Sequence, residues 1–276
     1  MGMSEDTQNQ EMLSQFPGLE VMPTLALYHN PLSVCSMKTR LALEEKGLEW
    51  TGRKIDIVHA QEQLEPWYIR LNSNGVIPTL SHTNGETKVI TNSATIIRYV
   101  ASLTEGNSLL PTNNEDVQTM EKLITSADDI DLQILSYARH PSMEKSEAIL
   151  DLRIEKSRAL AIEHPELAES YNASAERSLK NKNFRADTEF VDQIEKDAHA
   201  SLTFAESQLA HNTYLVGETY TLADVIWTVV LSRLELLGYD DWLSADSFPF
   251  IAKYYEAMKN RKSFKDANIQ NQWWQK

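Results

Sequence analysis

The sequence has little of several things, and each shortage excludes a class of protein. Its 276 residues include one cysteine, which excludes an internal disulfide framework and indicates a reducing compartment such as the cytoplasm. Glycine and proline number 9 each, too few for a turn-dense all-β sandwich, so helices are favoured. No run of 18 apolar residues occurs, so the sequence predicts neither a membrane span nor a membrane anchor.

Positive charge is scarce as well. Lysine and arginine number 26 against 40 aspartates and glutamates, which gives a formal net charge of −14. Because such an acidic surface repels phosphate groups, nucleic acid and anionic membranes are poor partners. The 7 histidines show neither a His-Glu-x-x-His motif nor a pair four residues apart, so no metal site is predicted.

What is present suffices for two soluble domains. The hydrophobic fraction of 42% is enough for packed cores, and the length suits about two domains of roughly 100–200 residues each. Changes in composition divide the chain into a polar tail (1–22), a first domain (23–104), a linker (105–113) and a second domain (114–276). A highly charged helical excursion (142–187), called the excursion below, interrupts the second domain.

The first domain alternates strand and helix patterns. Asn84-Gly85, between two β-type runs, is a strong hairpin signal. The order βαβαββα, a parallel βαβ unit followed by a hairpin and a closing helix, predicts an α/β thioredoxin-like domain. The predicted elements are 24–28, 35–46, 50–58, 61–71 with a bend at Pro66, 77–82, 87–91 and 92–103.

Strand patterns disappear after the linker, so the second domain is predicted to be an all-α helical bundle. Thr221 and Asp224 form a capping box before a nearly apolar helix, which we interpret as the buried central helix. The excursion is helical in pattern, with interruptions at 164–165 and around 180–183. The other predicted helices are 115–137, 188–209, 222–237, 250–259 and 264–274.

The loop after the first strand contains the groups best suited to chemistry. Ser33, Cys35 and Ser36 lie where a helix begins, and the free N–H groups and positive end of that helix favour a thiolate. A serine hydroxyl there can stabilise the thiolate of a substrate, and a cysteine can ionise and form a mixed disulfide. The alternative is structural, with Ser33 as an N-cap and Cys35 as a small buried residue.

Two further segments are candidates for ligand binding. Pro78 enters a strand, and a cis Ile77–Pro78 bond would let Ile77 turn its backbone groups towards a ligand peptide. Asn92 and Ser93 open a helix and offer polar groups to a carboxylate, although simple N-capping explains the pair about as well.

These motifs, in this order, resemble the cytosolic glutathione transferase superfamily across residues 24–275. The matching runs are 27–43, Asn72-Ser73-Asn74-Gly75-Val76-Ile77-Pro78, Asn92-Ser93 and 220–224. The runs 164–171, 231–238 and 254–264 are similar to the ganglioside-induced differentiation-associated protein group. Tetrachlorohydroquinone-dehalogenase-like transferases and bacterial β-etherases share some of these features. The resemblance implies the glutathione transferase fold, a thioredoxin-like domain followed by a helical bundle.

The resemblance also implies roles for particular residues. We align the arginine of the family's first helix with Arg40. In this alignment the catalytic hydroxyl of the serine classes falls at Ser33, and the reactive cysteine of the beta class falls at Cys35. Ile77 would hold the cysteinyl backbone of glutathione, and Pro78 would be cis. Ser93, with Asn92, would bind the γ-glutamyl carboxylate.

Two positions depart from the family pattern. Asn92 replaces an acidic residue, so the ammonium group of glutathione loses a charged partner. Val76 occupies a position often held by lysine or glutamine, so the glycyl carboxylate must find another donor. A lost charged contact costs about 1.5–3 kcal/mol, or roughly ten- to a hundredfold in affinity.

The function expected from the resemblance is that of a glutathione transferase involved in detoxification. Glutathione, the co-substrate, would attack a small hydrophobic electrophile by conjugation, dehalogenation or ether cleavage, in a cytoplasmic homodimer. One alternative is a Cys35-dependent thiol-disulfide transferase. Another is a non-catalytic binding module that keeps the fold and uses the excursion to bind a partner.

Overall fold

A computed structural model describes residues 24–139 and 143–270, so the predicted polar tail lies outside the described residues. Residues 24–102 contain a four-stranded sheet with helices, and the described residues from 114 to 270 contain helices without strands. The predicted fold class is therefore confirmed. The exact domain boundaries stay predictions, although residues 103–113 contain neither helix nor strand.

The first domain has the predicted βαβαββα order. A short 3₁₀ helix (Glu62–Leu64) precedes α2, so the predicted bend at Pro66 is confirmed. The strand order is β2-β1-β3-β4, in which β1 and β2 are parallel and the other pairs are antiparallel. The elements are β1 (Leu25–His29), α1 (Val34–Lys46), β2 (Thr51–Lys54), α2 (Pro66–Leu71), β3 (Thr79–Asn84), β4 (Glu86–Thr91) and α3 (Ser93–Ser102).

Strand β2 is shorter than the predicted 50–58. The Asp56 carboxylate turns the chain after β2, because its Oδ1 accepts hydrogen bonds from the backbone N–H groups of Val58 and His59, both at 2.9 Å. Hydrophobic alternation continues through Ile57 and Val58, but a local side-chain bond to the backbone ends the strand first.

The second domain is built around a buried central helix, α9, as predicted. Its residues from Leu222 to Leu234 are all buried, and the capping box of Thr221 and Asp224 is present. The helices are α4 (Asn114–Asp128), α5 (Leu132–Ala138), α6 (Met143–Glu163), α7 (Ala168–Ala186), α8 (Thr188–Leu209), α9 (Leu222–Leu236), α10 (Pro249–Lys259) and α11 (Lys262–Asp266). None of the helices described is long and apolar enough to cross a membrane.

Three helix predictions are wrong. The predicted helix 264–274 ends at Asp266, because residues 267–270 contain no helix, and 271–274 lie outside the described residues. The predicted helix 115–137 is divided, because Asp131 caps a new helix by accepting a hydrogen bond from the Ile134 N–H at 3.0 Å. The predicted interruption around 180–183 does not occur. Helix α7 continues because the Lys182 ammonium contacts Asp151 at 2.7 Å and Glu147 at 3.0 Å on α6, contacts between helices that periodicity cannot show.

The excursion forms a helical hairpin, α6 and α7, that packs against the thioredoxin-like domain. A second 3₁₀ helix (Pro165–Leu167) joins the two helices at the predicted interruption. The fully buried Tyr171 of α7 lies in one apolar cluster with Leu64 and Ile69 of the first domain. The excursion therefore covers the α2 side of that domain rather than extending into solvent.

Candidate functional site at one end of the sheet

The sheet topology brings the predicted site residues to one end. Tyr28, Thr79 and Thr91 pair in one row across β1, β3 and β4. Because β1 and β4 end at this row and β3 begins there, the loop after β1, the segment before β3 and the start of α3 meet. These three segments carry Ser33 and Cys35, Ile77 and Pro78, and Asn92 and Ser93.

Hydrogen bonds of the buried Asn30 stabilise the loop after β1. The Asn30 side-chain amide donates to the Ile55 carbonyl at 2.7 Å, and its Oδ1 accepts from the Leu32 N–H at 3.0 Å. The Asn30 N–H donates to the Ser36 hydroxyl at 3.3 Å. Ser36 is fully buried. Unlike Ser33 and Cys35, it therefore stabilises the loop and does not face a ligand.

Arg40 connects the same loop to the C-terminal part of the chain. Its guanidinium donates to the carbonyls of Asn30 and Pro31, both at 3.2 Å, and its Nε donates to the Ala267 carbonyl at 2.7 Å. Burial lowers the pKa of Arg40 to about 10, so the side chain stays charged at neutral pH. Arg40 thus positions the loop after β1.

Ser33 and Cys35 lie at the N-terminus of α1. Ser33 is the N-cap, and its hydroxyl oxygen accepts a hydrogen bond from the Ser36 N–H at 3.3 Å. This bond orients the oxygen and leaves the hydroxyl proton for an outside acceptor, so capping and catalysis are compatible. Cys35 is exposed, so the alternative of a buried packing cysteine is wrong. The positive end of α1 favours a thiolate beside either residue.

The segment before β3 presents the backbone of Ile77. The Ile77–Pro78 bond is cis, as the resemblance implies. The Val76 carbonyl accepts from the Tyr68 hydroxyl at 2.9 Å and the Asn72 amide at 2.7 Å, which fixes the preceding residue. Among the described residues no hydrogen-bond partner is found for the Ile77 N–H or C=O. An extended peptide can pair with these two groups.

Asn92 and Ser93 form the start of α3. Asn92 has a φ of 69°, in the region that side-chain-bearing residues rarely adopt, and its Oδ1 accepts from the N–H groups of Ala94 at 2.9 Å and Thr95 at 3.3 Å. Asn92 is therefore committed to capping. The half-buried Ser93 keeps its N–H and hydroxyl at the helix N-terminus, where an anion is favoured.

Sequence reasoning missed the role of Arg233, on α9. The side chain is 5% exposed, and its guanidinium donates to the Leu32 carbonyl at 2.5 Å and the Ser136 hydroxyl at 3.3 Å. Burial lowers the pKa of Arg233 to about 10, and the electrostatic interaction with nearby Cys35 opposes this shift. A lone arginine within a mostly apolar, buried helix was the available signal, since a buried charge needs a partner.

Within residues 24–139 and 143–270, no group of three or more histidine, cysteine, aspartate or glutamate side chains is arranged to hold a metal ion.

A thioredoxin-like domain with a serine and a cysteine at its first helix, joined to a helical bundle, defines a class of thiol-using enzymes. Two family models match the chain: the glutathione S-transferase N-terminal domain over residues 32–103 and the glutathione S-transferase C-terminal domain over 188–257. The chain belongs to the glutathione S-transferase family. It is an enzyme of the kind that uses glutathione as co-substrate.

Relatives and a solved structure agree with this assignment. A tetrachlorohydroquinone reductive dehalogenase of Sphingobium chlorophenolicum is 34% identical, over 91% of this chain and 98% of its own. A 2,5-dichlorohydroquinone reductive dechlorinase of Sphingobium indicum is 27% identical, over 97% of this chain and 88% of its own. The crystal structure of the β-etherase LigF from a Sphingobium strain shares the fold, with a TM-score of 0.70, 22% identity and coverage of 90% of this chain and all of its own.

Proposed function

We propose that glutathione binds at this end of the sheet and attacks a small hydrophobic electrophile through its sulfur. The Ser33 hydroxyl and the N-terminus of α1 stabilise the thiolate, the backbone of Ile77 before cis Pro78 pairs with the cysteinyl residue, and Ser93 beside Asn92 receives the γ-glutamyl carboxylate. The observation that carries the proposal is the Ser33 N-cap bond, because it orients the hydroxyl and leaves its proton for a thiolate.

We further propose that the reaction is reductive dehalogenation of a halogenated hydroquinone. The names of the two dehalogenating relatives support this choice, as does the exposed Cys35 two residues after Ser33. Replacing a ring halogen by hydrogen consumes two electrons, which two thiols supply when they form a disulfide. An aryl conjugate alone would keep its carbon–sulfur bond, so a second thiol is needed.

Cys35 supplies the second thiol in this scheme. The glutathione thiolate displaces halide and forms an aryl–sulfur bond. The Cys35 thiolate then attacks that sulfur, the ring carbon leaves with the electron pair and takes a proton, and a Cys35–glutathione disulfide forms. A second glutathione thiolate attacks the mixed disulfide, releases oxidised glutathione and restores Cys35. This step is the thiol-disulfide chemistry that the sequence left open as an alternative.

Replacing Ser33 by alanine tests the thiolate-stabilising role. We expect kcat/KM for conjugation of glutathione to 1-chloro-2,4-dinitrobenzene to fall by about 10²-fold, because a donor to the developing or bound anion is lost. Ser33→Thr, which keeps a hydroxyl, is the matched control and should retain most activity. Full activity in Ser33→Ala would exclude Ser33 as the catalytic hydroxyl.

Replacing Cys35 by serine tests the reductive step. With tetrachlorohydroquinone as probe, we expect chloride to be released but the glutathionyl group to stay on the ring, detected by mass spectrometry. Conjugation to 1-chloro-2,4-dinitrobenzene should be nearly unchanged, because it needs no second thiol. A variant that still forms the dechlorinated product and oxidised glutathione would reject the Cys35 route.

We also propose that the protein works as a cytoplasmic homodimer. An exposed single thiol that must return to its reduced form after each turnover suits a reducing compartment. The homodimer follows from the family resemblance. Sedimentation equilibrium checks it, since a monomeric mass near 31.4 kDa at micromolar concentration would contradict it.

A further inference from the structure

Two arginines of the excursion reach the thioredoxin-like domain. Arg153 of α6 donates from Nε to the Gln61 side chain at 2.8 Å, from Nη2 to the Ile57 carbonyl at 3.1 Å and from Nη1 to the Tyr137 hydroxyl at 3.3 Å. Arg177 of α7 donates to the Asn74 carbonyl at 2.5 Å. Both side chains are half-buried, so they lie at the boundary between the excursion and the first domain and remain accessible.

Neither arginine forms an ion pair with a carboxylate among the described residues, although the chain has an excess of acid. Several other arginines do pair in this way, namely Arg53, Arg70, Arg98, Arg139, Arg185 and Arg261. Burial, and then the neighbouring charge of Arg153, lower the pKa of Arg177. Two like charges held near each other without an acid are unfavourable on their own and suit an anionic ligand.

The position of this pair relative to the sheet end is informative. Asn74, which Arg177 contacts, is followed closely by Val76 and Ile77, where the cysteinyl backbone of glutathione is proposed to bind. The Val76 side chain is 36% exposed and apolar, at the position where a lysine or glutamine is often found in the family. The excursion therefore brings positive charge to the segment that has lost its own donor.

We propose that Arg153 and Arg177 bind the glycyl carboxylate of glutathione, so that the excursion completes the glutathione site. The assignment rests on the proposed function, in which glutathione is the thiol bound. Planar guanidinium groups match a carboxylate with two parallel hydrogen bonds each, which Val76 cannot provide. The bonds already made to Gln61, Ile57 and Asn74 hold both arginines in place before the ligand arrives.

The test compares glutathione with its glycyl monoethyl ester, in which this carboxylate is blocked. Dissociation constants are measured by calorimetry for the full chain and for Arg153→Gln, Arg177→Gln and the double variant. We expect each single substitution to weaken glutathione binding about tenfold and the pair more strongly. The ester should bind wild type weakly and should bind the variants with the same affinity as wild type.

Two further variants serve as controls. Lys156→Gln removes a cation from α6 that is already paired with Glu65 at 2.6 Å, and it should leave both dissociation constants unchanged. Arg177→Lys keeps the charge without the planar fork and should lose less affinity for glutathione than Arg177→Gln.

The outcomes separate this proposal from the proposed function. Wild type that binds neither compound would overturn the proposed function and this assignment with it. Wild type that binds glutathione, together with glutamine variants that bind it equally well, would overturn the assignment alone. Equal weakening of glutathione and ester in the variants would also overturn it, because the arginines would then act only by docking the excursion.

Discussion

At the scale of single residues, the half-buried His29 and the buried Asp224 have pKa values displaced in opposite directions. Burial, followed by the charges of Arg40 and Lys54, lowers the pKa of His29 to about 4. Burial raises the pKa of Asp224 to about 6, although the Leu215 and Thr221 N–H groups oppose the shift by donating to its carboxylate. Folding therefore favours the neutral form of both groups: deprotonated His29 and protonated Asp224.

These displacements predict a pH dependence that substitution reveals. Since His29 titrates at 6.5 when unfolded and near 4 when folded, it adds stability as pH rises between those values. The pKa of Asp224 is 3.8 in the unfolded chain and about 6 in the folded protein, so Asp224 lowers stability as pH rises between these two values. The effects of His29 and Asp224 therefore offset each other in wild type. The His29→Gln variant lacks the stability that His29 adds over this range. The free energy of unfolding of the variant minus that of wild type should therefore fall by about 2–3 kcal/mol between pH 4 and pH 6.5.

Urea unfolding at several pH values between 4 and 6.5 measures this difference. Replacement of exposed His211 by glutamine is the control, and its curve should run parallel to that of wild type. A His29→Gln curve that also runs parallel to wild type would contradict the prediction.

The sequence indicated which residues are candidates for the chemistry, but not which way they face. The pattern placed Ser33, Cys35 and Ser36 at one helix start, where all are chemically suitable. Only the fold separates them, because the Asn30 N–H binds the Ser36 hydroxyl and turns it inward while Cys35 stays exposed. The direction of a side chain in an irregular loop depends on tertiary hydrogen bonds, so local pattern cannot predict it.

At the scale of elements, one aromatic side chain forms the apolar part of the contact between the excursion and the first domain, beside the polar contacts of Arg153, Lys156 and Arg177. Tyr171 is fully buried beside Leu64 and Ile69, and its hydroxyl has no hydrogen-bond partner among the described residues. Tyr171→Ala should destabilise this contact by about 3–5 kcal/mol, seen as faster amide exchange in α6, α7 and residues 62–69.

Tyr171→Phe is the matched control for the alanine variant. It keeps the ring and removes only the unpartnered hydroxyl, so we expect unchanged or slightly slower exchange. Equal exchange in the alanine and phenylalanine variants would show that the ring does not hold the excursion in place.

Most elements follow from local pattern, and the exceptions have identifiable causes. Hydrophobic periodicity and capping predicted the βαβαββα order and the buried helix α9, because those signals lie within each element. The break before Asp131 and the continuity of α7 through Lys182 were missed. The first depends on which of several acidic residues caps a helix, and the second on salt bridges to a neighbouring helix.

At the scale of the whole molecule, Arg233 connects the helical domain to the loop after β1, which is proposed to be catalytic. In Arg233→Met we expect kcat for conjugation to fall about tenfold, because the Leu32 carbonyl loses its donor and Ser33 loses its position. KM for glutathione should change less, since the Ile77 and Ser93 segments are untouched. The free energy of unfolding should stay within about 1 kcal/mol or rise, because a buried charge is replaced by an apolar chain of similar size.

Steady-state kinetics and urea unfolding measure these effects together. Arg98→Gln, which removes an arginine paired with Glu121 at 2.6 Å away from the catalytic loop, is the control and should leave kcat unchanged. An unaltered kcat in Arg233→Met would show that the loop keeps its position without this connection.

The sequence by itself determined the two kinds of domain and the order of the elements, and it proposed the candidate residues for activating a thiol, because these depend on local periodicity, caps and side-chain chemistry. The tertiary structure decided what no local signal encodes. It brought the loop after β1, the segment before β3 and the start of α3 to one end of the sheet. It also placed Arg233 against the loop and Arg177 of the excursion beside Asn74, since contacts between residues far apart in the chain form only when the whole chain packs.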